Sequence, residues 1–167
     1  GDGSVRVLAT DTGALPPDLV PGGIVLVDED GYAWSAAVME ALLATGRPVT
    51  LVTRFFEAFR ELPMVSKIAS LRAVDQAGGK LLANSEVARV SNSAVTIRHY
   101  ISGREETVPG IAAVVWVGCT QATGGVLADA LLASGFDRQR LHIVGDAFSP
   151  RRLSHAIAEG HAAGRAV

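Results

Sequence analysis

An unbroken apolar run, an acidic turn and a second apolar stretch form the most informative part of the chain. Residues 24–27 are all apolar, which is typical of a strand buried on both faces. Residues 34–45 carry apolar side chains at helical spacing and are followed by Gly46, so they predict a helix that ends there. Residues 48–53 predict another strand. A strand, helix and strand within about thirty residues predict one right-handed βαβ unit.

The same patterns predict further elements on both sides of this unit. The predicted strands are 4–10, 80–83, 87–91, 94–100, 105–108, 111–117 and 141–144. The predicted helices are 64–77, 126–134 and 152–167. Because short turns separate the three strands between 87 and 108, they predict an antiparallel meander. The predicted fold class is therefore α/β, with Rossmann-like βαβ units, a mostly parallel sheet and an inserted antiparallel β-meander.

Composition and charge narrow the class of protein. The chain has 167 residues, of which 49% are hydrophobic, and a net charge of −2, which argues for a folded core and against nucleic-acid or anionic membrane partners. Cys119 is the single cysteine, so no internal disulfide or cysteine-rich metal site is expected. The sequence shows neither a long apolar run nor a signal peptide, and we expect a cytoplasmic location. Because it starts with Gly1 rather than Met, we interpret it as a fragment.

The turn after the first buried strand of the βαβ unit differs from a dinucleotide-binding turn. Such turns carry G-x-G-x-x-G, whose glycines let the backbone approach a diphosphate at a helix N-terminus. Residues 28–34 instead read DEDGYAW, with three carboxylates, one glycine and two bulky aromatic residues. Two like charges at about 4 Å repel by roughly 4 kcal/mol at an effective dielectric near 20, which exceeds the gain of about 1 kcal/mol from a neutral hydrogen bond. We therefore predict that the NAD motif is lost.

Two interpretations of the acidic residues remain open. The first is that they stabilise the N-terminus of the following helix by roughly 0.3–1 kcal/mol each. The second is a Mg²⁺ site, as in a receiver-like signalling domain. A receiver needs a further aspartate at the end of a central strand, whereas residues 53–54 are Thr-Arg and 118–119 are Gly-Cys. The helix-stabilising role is favoured.

Two aromatic residues of this turn are candidates to fill the space that a bound nucleotide would occupy. Tyr32 and Trp34 are expected to fill the volume that a nucleotide would occupy, with an exposed interaction patch as the alternative. A second cluster is expected to cover the core, with an interface to another domain as the alternative. It consists of Arg54, Phe55, Phe56, Phe59 and Arg60.

A second candidate site precedes the last predicted helix. Gly145, Asp146 and Ala147 follow the predicted strand 141–144. A strand, a Gly-Asp pair and a helix in this order bring a carboxylate and backbone N–H groups together, which suits a flavin ribityl hydroxyl or a phosphate. The alternative is that Asp146 caps the helix. The sequence pattern alone leaves both open.

Two long segments carry a resemblance to a known family. Residues 24–53 (IVLVDEDGYAWSAAVMEALLATGRPVTLVT) and 144–167 (VGDAFSPRRLSHAIAEGHAAGRAV) resemble the C-terminal nucleotide-binding-like region of trimethylamine dehydrogenase-like flavoenzymes, within the old yellow enzyme (NADH:flavin oxidoreductase) family. Members of that branch also have an acidic or polar turn with a tyrosine, and a closing segment with GDA, PR and GH. Residues 114–118 (VVWVG) resemble the point where their chain returns from the inserted NAD-like domain.

The resemblance implies a domain organisation and a set of cofactors. It implies a lead-in strand and crossover at 1–21, a degenerate NAD-like Rossmann domain at 22–110, and a return strand with the tail of an FAD/ADP-like half-domain at 111–167. In the full-length protein it implies FAD or ADP in this region, with FMN and an iron–sulfur cluster in a barrel that these residues do not contain. Only Gly145, Asp146 and Ala147 carry over as cofactor-binding residues. No catalytic residue and no metal ligand carry over.

The expected function follows from the resemblance. We expect a non-catalytic FAD/NAD(P)-binding-like domain of a larger flavin-dependent oxidoreductase, of the amine dehydrogenase or NADH:flavin oxidoreductase type, with a structural and interdomain role. Its expected partners are the preceding domains of the same polypeptide, with an electron-transfer partner and a homo-oligomer left open. The alternatives are a partner-docking module and a receiver-like signalling domain, each using the acidic loop.

Overall fold

The computed structural model describes residues 4–9, 14–118 and 120–166. The chain divides into two compact units, Gly1–Gly118 and Cys119–Val167. Among the residues described, no helix is both long enough and apolar enough to cross a membrane. The predicted boundaries at residues 21 and 110 stay a prediction.

The first unit contains two helices and eight strands within its described residues. The helices are α1 (Ala33–Leu43) and α2 (Met64–Gln76). The strands are β1 (Arg6–Ala9), β2 (Gly23–Asp28), β3 (Val49–Thr53), β4 (Lys80–Leu82), β5 (Ser85–Val90), β6 (Ala94–His99), β7 (Glu105–Pro109) and β8 (Ile111–Val117). These elements confirm the βαβ unit and its neighbours.

A five-stranded parallel sheet forms the centre of the first unit. Its strand order is β1-β8-β2-β3-β4, and every neighbouring pair is parallel. β2 is completely buried. Its apolar side chains contact α1 on one face and the antiparallel sheet of β5, β6 and β7 on the opposite face. Since the strands are parallel, their carboxyl ends lie at one edge, where Asp28 pairs with Thr53 on one side and Val117 on the other.

The remaining strands form the predicted antiparallel meander, in the order β5-β6-β7. Val95 and Ile97 of β6 pack against Val25, Val52 and Val114 of the parallel sheet. The meander therefore covers one face of that sheet, and α1 covers the other through a separate core cluster. Together these features confirm the predicted fold class: α/β and Rossmann-like, with an inserted antiparallel sheet.

The aromatic segment after β3 is more than the predicted covering layer. Phe59 is fully buried in the core cluster beside Met39 and Leu42, and its φ is +55°. Phe56, three residues earlier, is 77% exposed. A backbone turn in the left-handed region, which no periodicity predicts, brings Phe59 inward.

The second unit contains α3 (Gly124–Ala133), α4 (Leu153–Gly164) and two short 3₁₀ turns at Arg138–Arg140 and Gly145–Ala147. The predicted strand at 141–144 is wrong, because these residues adopt no regular structure and His142 does not lie in a strand. A strand needs a neighbour to satisfy its backbone hydrogen bonds, and the described residues of this unit contain no other strand. The sequence pattern indicates residues suited to a strand but cannot show whether a neighbouring strand is present.

Many apolar side chains of the second unit are exposed. Only Ala128 and Gly145 are buried among its described residues. The exposed large side chains are Val126, Leu127, Phe136, Ile143, Phe148, Leu153 and Ile157. Surface of this kind, gathered on one small unit, is typical of a contact face.

The burial of Phe59 leads to a stability prediction. We expect Phe59→Ala to lower the free energy of unfolding by about 3 kcal/mol or more, because a fully buried ring leaves a cavity. The matched variant Phe56→Ala should change it by less than about 0.5 kcal/mol, since that ring is exposed. Urea unfolding followed by tryptophan fluorescence measures both, because Trp34 and Trp116 lie in the first unit. Equal effects of the two variants would contradict the placement of Phe59.

Candidate functional site

The turn between β2 and α1 lies at the carboxyl edge of the parallel sheet, where doubly wound folds bind their ligands. The last residue of β2 is Asp28, whose side chain is almost completely buried. Its Oδ1 accepts hydrogen bonds from the Gly31 backbone N–H at 2.7 Å and from the Ser35 hydroxyl at 2.5 Å. The carboxylate therefore connects the end of β2 by hydrogen bonds to the loop residue Gly31 and to Ser35 at the start of α1.

The second oxygen of the same carboxylate is unsatisfied. Asp28 Oδ2 is buried and has no hydrogen-bond partner within the described residues. Burial raises the pKa of Asp28 above its ordinary value, whereas the hydrogen bonds from Ser35 and Gly31 oppose that rise and the nearby Asp30 charge adds to it. The site therefore holds an anion that is only partly compensated.

Neighbouring strands fix the backbone of the turn. The Thr53 hydroxyl donates to the carbonyl of Asp28 at 2.9 Å. The Glu29 N–H donates to the carbonyl of Val117 at 2.8 Å, and the Glu61 N–H donates to that of Gly31 at 2.7 Å. Three separate segments thus hold this turn in place.

The glycine of the turn makes room for an aromatic ring. Gly31 has φ of +66°, and a Cβ built on it would lie 2.8 Å from the Phe55 ring. The Arg60 guanidinium lies 5.3 Å from the centre of the same ring, within cation–π range. On the other side of the turn, a Cβ on Gly118 would lie 2.8–2.9 Å from the backbone of residues 29 and 30. Protein atoms therefore pack tightly on both sides of this turn.

The expectation that Tyr32 and Trp34 fill the volume of a nucleotide stays a prediction, and Phe55 is a further aromatic residue that packs on this turn. Trp34 is 45% exposed, whereas Phe55 contacts the glycine. One signal could have identified Phe55: it comes two residues after β3, which is parallel to β2 and ends beside Asp28.

The expected helix-stabilising role of the carboxylates is also corrected in detail. α1 has no acidic residue in its first turn, and its N-cap residue, Tyr32, makes no side-chain capping bond. Asp30 Oδ2 instead accepts from the Tyr32 N–H at 3.0 Å. Asp28 and Asp30 thus stabilise the turn itself. For the magnesium alternative, the described part of the chain brings together no three His, Cys, Asp or Glu side chains that could hold a metal ion.

The second candidate site lies in the second unit. Gly145 is buried, with φ of +61°, and its N–H donates to Glu159 Oε2 at 2.7 Å. The other carboxylate oxygen of Glu159 pairs with Arg151. A side chain at Gly145 would press on Ala156, 3.1 Å away, so α4 packs directly on this glycine. The N–H of Gly145 is already hydrogen-bonded within the protein.

Asp146 retains an oxygen for a ligand. Its side chain is exposed, and its Oδ1 accepts from the Arg151 N–H at 3.3 Å. It is not a helix cap, because α4 begins after Arg152 and has no side-chain capping bond. Ala147 packs against the start of α3, where a Cβ on Gly124 would collide with its carbonyl. An exposed carboxylate held in this way fits a ribityl or ribose hydroxyl, and the cofactor role of residues 145–147 stays a prediction.

Comparison with known proteins places this geometry in a wider fold. No family model and no curated protein matches the sequence. Histamine dehydrogenase from Rhizobium sp. 4-9 is 22% identical over 96% of the chain, with a TM-score of 0.79. 6-Hydroxypseudooxynicotine amine oxidase from Pseudomonas geniculata N1 is 23% identical over 98% of the chain, with a TM-score of 0.74. 2-Naphthoyl-CoA reductase is 21% identical over 87% of the chain, with a TM-score of 0.66.

The chain shares the fold of one part of these trimethylamine dehydrogenase-like flavoenzymes. At 21–23% identity the likeness shows the fold alone, and it confirms the predicted resemblance at that level. The chain spans only 26%, 27% and 21% of the three proteins. Their activities therefore do not transfer to it by similarity.

The raised pKa of Asp28 leads to a pH prediction. A protonated Asp28 contributes stability fully below the unfolded-state pKa, and this contribution is lost as the pH rises through the raised folded-state pKa. Asp28→Asn does not titrate, so its stability relative to the wild type should increase with pH across that window. The increase is about 1.4 kcal/mol for each unit by which the folded and unfolded pKa values differ. Urea unfolding of both proteins at several pH values measures it, and a difference that is constant or falls with pH would contradict the assignment.

Proposed function

We propose that this chain is a non-catalytic FAD/NAD(P)-binding-like domain of a larger flavin-dependent oxidoreductase, in which it supports neighbouring domains. The fold it shares with three flavoenzymes supports an origin in such a protein. The chain alone would neither oxidise nor reduce a substrate.

The filled turn after β2 is the observation that carries this proposal. A dinucleotide there would need room beside Gly31 and favourable charge around its diphosphate. The Phe55 ring takes the room, and the carboxylate of Asp28 already accepts the Gly31 N–H. The residues present do not fit a bound NAD, so we assign no cofactor chemistry to this turn.

The exposed apolar face of the second unit supports an interdomain role. α4 buries none of its side chains, and Leu153 and Ile157 on it are 76% and 63% exposed. These residues are one helical turn apart, so they lie on one side of the helix. We propose that another part of the same polypeptide covers this side. Gly145, Asp146 and Ala147 would then face a flavin or adenine nucleotide held chiefly by that part.

A partner-docking module is the second candidate, and one observation favours it. At the start of α2, Met64, Val65 and Ile68 are 67%, 83% and 50% exposed, and Phe56 nearby in sequence is 77% exposed. Exposed apolar side chains in this number are typical of contact surfaces. The same residues are also compatible with a contact to another domain of the polypeptide.

A redox assay tests the proposed absence of catalysis. We expect the purified chain, mixed with FAD and NADH, to consume NADH no faster than the two cofactors do without protein. We also expect it to retain no flavin after gel filtration. The turn after β2, on which Phe55 packs, would offer no site for a diphosphate. Flavin that stays bound, together with protein-dependent NADH consumption, would contradict the proposal.

Hydrogen exchange tests the proposed interdomain contact. In the isolated chain, amides of α4 should exchange much faster than those of β2, because α4 buries no side chain whereas β2 is fully buried. In the longer polypeptide that contains this chain, we expect α4 to become at least about tenfold more protected while β2 changes little. Mass spectrometry of both proteins provides the comparison. Unchanged exchange of α4 in the longer polypeptide would argue against a covering domain.

A further inference from the structure

A cleft in the first unit is not used by anything described above. Its volume is about 240 Å³, and it opens between the end of β4 and the antiparallel sheet. Its principal lining residues are Leu82, Ser85, Ile97, His99, Arg104 and Glu106.

The pairing of the antiparallel sheet places these residues on one face. Ser85 pairs with His99, whose N–H donates to the carbonyl of Arg104, and Ile97 pairs with Glu106. Alternate residues of a strand point to the same side, so these five side chains share a face. It is the face that packs on the parallel sheet through Ile97. The polar groups thus lie at the open end of an otherwise apolar layer.

The two charged side chains of the cleft, Arg104 and Glu106, take part in none of the ion pairs of the described residues. On the opposite face of the same sheet, Arg98 and Glu86 do pair with each other, through Arg98 Nε and Glu86 Oε1 at 2.9 Å. Residues two apart on a strand have Cα atoms about 6.8 Å apart. The cleft therefore presents one cation and one anion side by side above an apolar floor.

Two further groups complete the polar wall. His99 Nδ1 accepts the Ser102 N–H at 3.2 Å, so the neutral ring carries its proton on Nε2 and can donate from there. The Ser85 hydroxyl donates to the carbonyl of Ala83 at 2.9 Å and keeps its lone pairs as acceptors. Donors for a carboxylate and acceptors for an ammonium group are both present.

We propose that this cleft binds a small zwitterion of the amino-acid class. Its carboxylate would contact Arg104 and His99, its ammonium group would contact Glu106, and a short aliphatic body would lie against Leu82 and Ile97. An open cleft of about 240 Å³ has room for a body of a few carbon atoms. This site is separate from the filled turn and does not depend on the proposed oxidoreductase.

Titration of the full chain with γ-aminobutyrate, followed by amide NMR shifts, tests the site. We expect saturable shifts at Ser85, Ile97 and His99. Butyrate and butylammonium each carry only one of the two charges, so each should bind at least about tenfold more weakly. Absence of saturable shifts up to about 20 mM, or equal binding of the singly charged compounds, would overturn the proposal.

Substitutions of the two charged residues in the cleft provide a second test of the proposal. Arg104→Gln and Glu106→Gln should each weaken binding of γ-aminobutyrate at least about tenfold, because each removes one charge partner. Both side chains are exposed, so neither change disturbs the core. The matched controls Arg89→Gln and Glu105→Gln lie outside the cleft on the same sheet and should leave affinity unchanged. If all four variants bind equally well, the charges of the cleft only guard the sheet edge against aggregation, and the proposal fails.

Discussion

The buried carboxylate of Asp28 is the group on which the geometry of the carboxyl edge depends. In a dinucleotide-binding domain, the backbone N–H groups after the first strand face a phosphate. Here the side chain of Asp28 accepts the N–H of Gly31 and the hydroxyl of Ser35. The chain therefore supplies its own anion at the place where a bound ligand would supply one. Because that anion is buried and only half satisfied, a second negative group beside it would be strongly unfavourable.

The segment after β3 closes the same place by packing. Phe55 lies on Gly31, and four residues later Phe59 is fully buried in the core. Lys67 of α2 fixes this segment, since its Nζ donates to Glu57 Oε1 at 2.6 Å and to the carbonyl of Arg60 at 3.1 Å. Under the proposed function, charge and packing would each disfavour a diphosphate here, so removing one aromatic ring would not be expected to restore a site.

Sequence patterns predicted the regular elements well where burial alone determines them. β2 and α1 are predictable because their apolar residues follow strand and helix periodicity, and the parallel βαβ order places Asp28 beside Thr53. The position of Phe59 was not predictable, because its left-handed backbone arises from contacts of an irregular segment. Residues 141–144 have a short, mostly apolar pattern that predicts a strand, but a strand also requires a neighbour.

The candidate sites show the same limit of sequence patterns. The acidic composition of residues 28–34 predicts an altered turn, whereas the contact of Phe55 with Gly31 depends on tertiary packing. In the second unit, the pattern placed Gly145 and Asp146 before a helix. It could not show that Glu159, fourteen residues later, accepts the N–H of Gly145, because that contact depends on how α4 folds back.

A crystal structure of the chain soaked with NADH is the most direct test of the filled turn. The account predicts that Phe55 keeps its contact with Gly31 and that no diphosphate lies within hydrogen-bonding distance of residues 28–34. A diphosphate bound to the backbone N–H of Gly31 or Tyr32, with the Phe55 ring displaced, would contradict it.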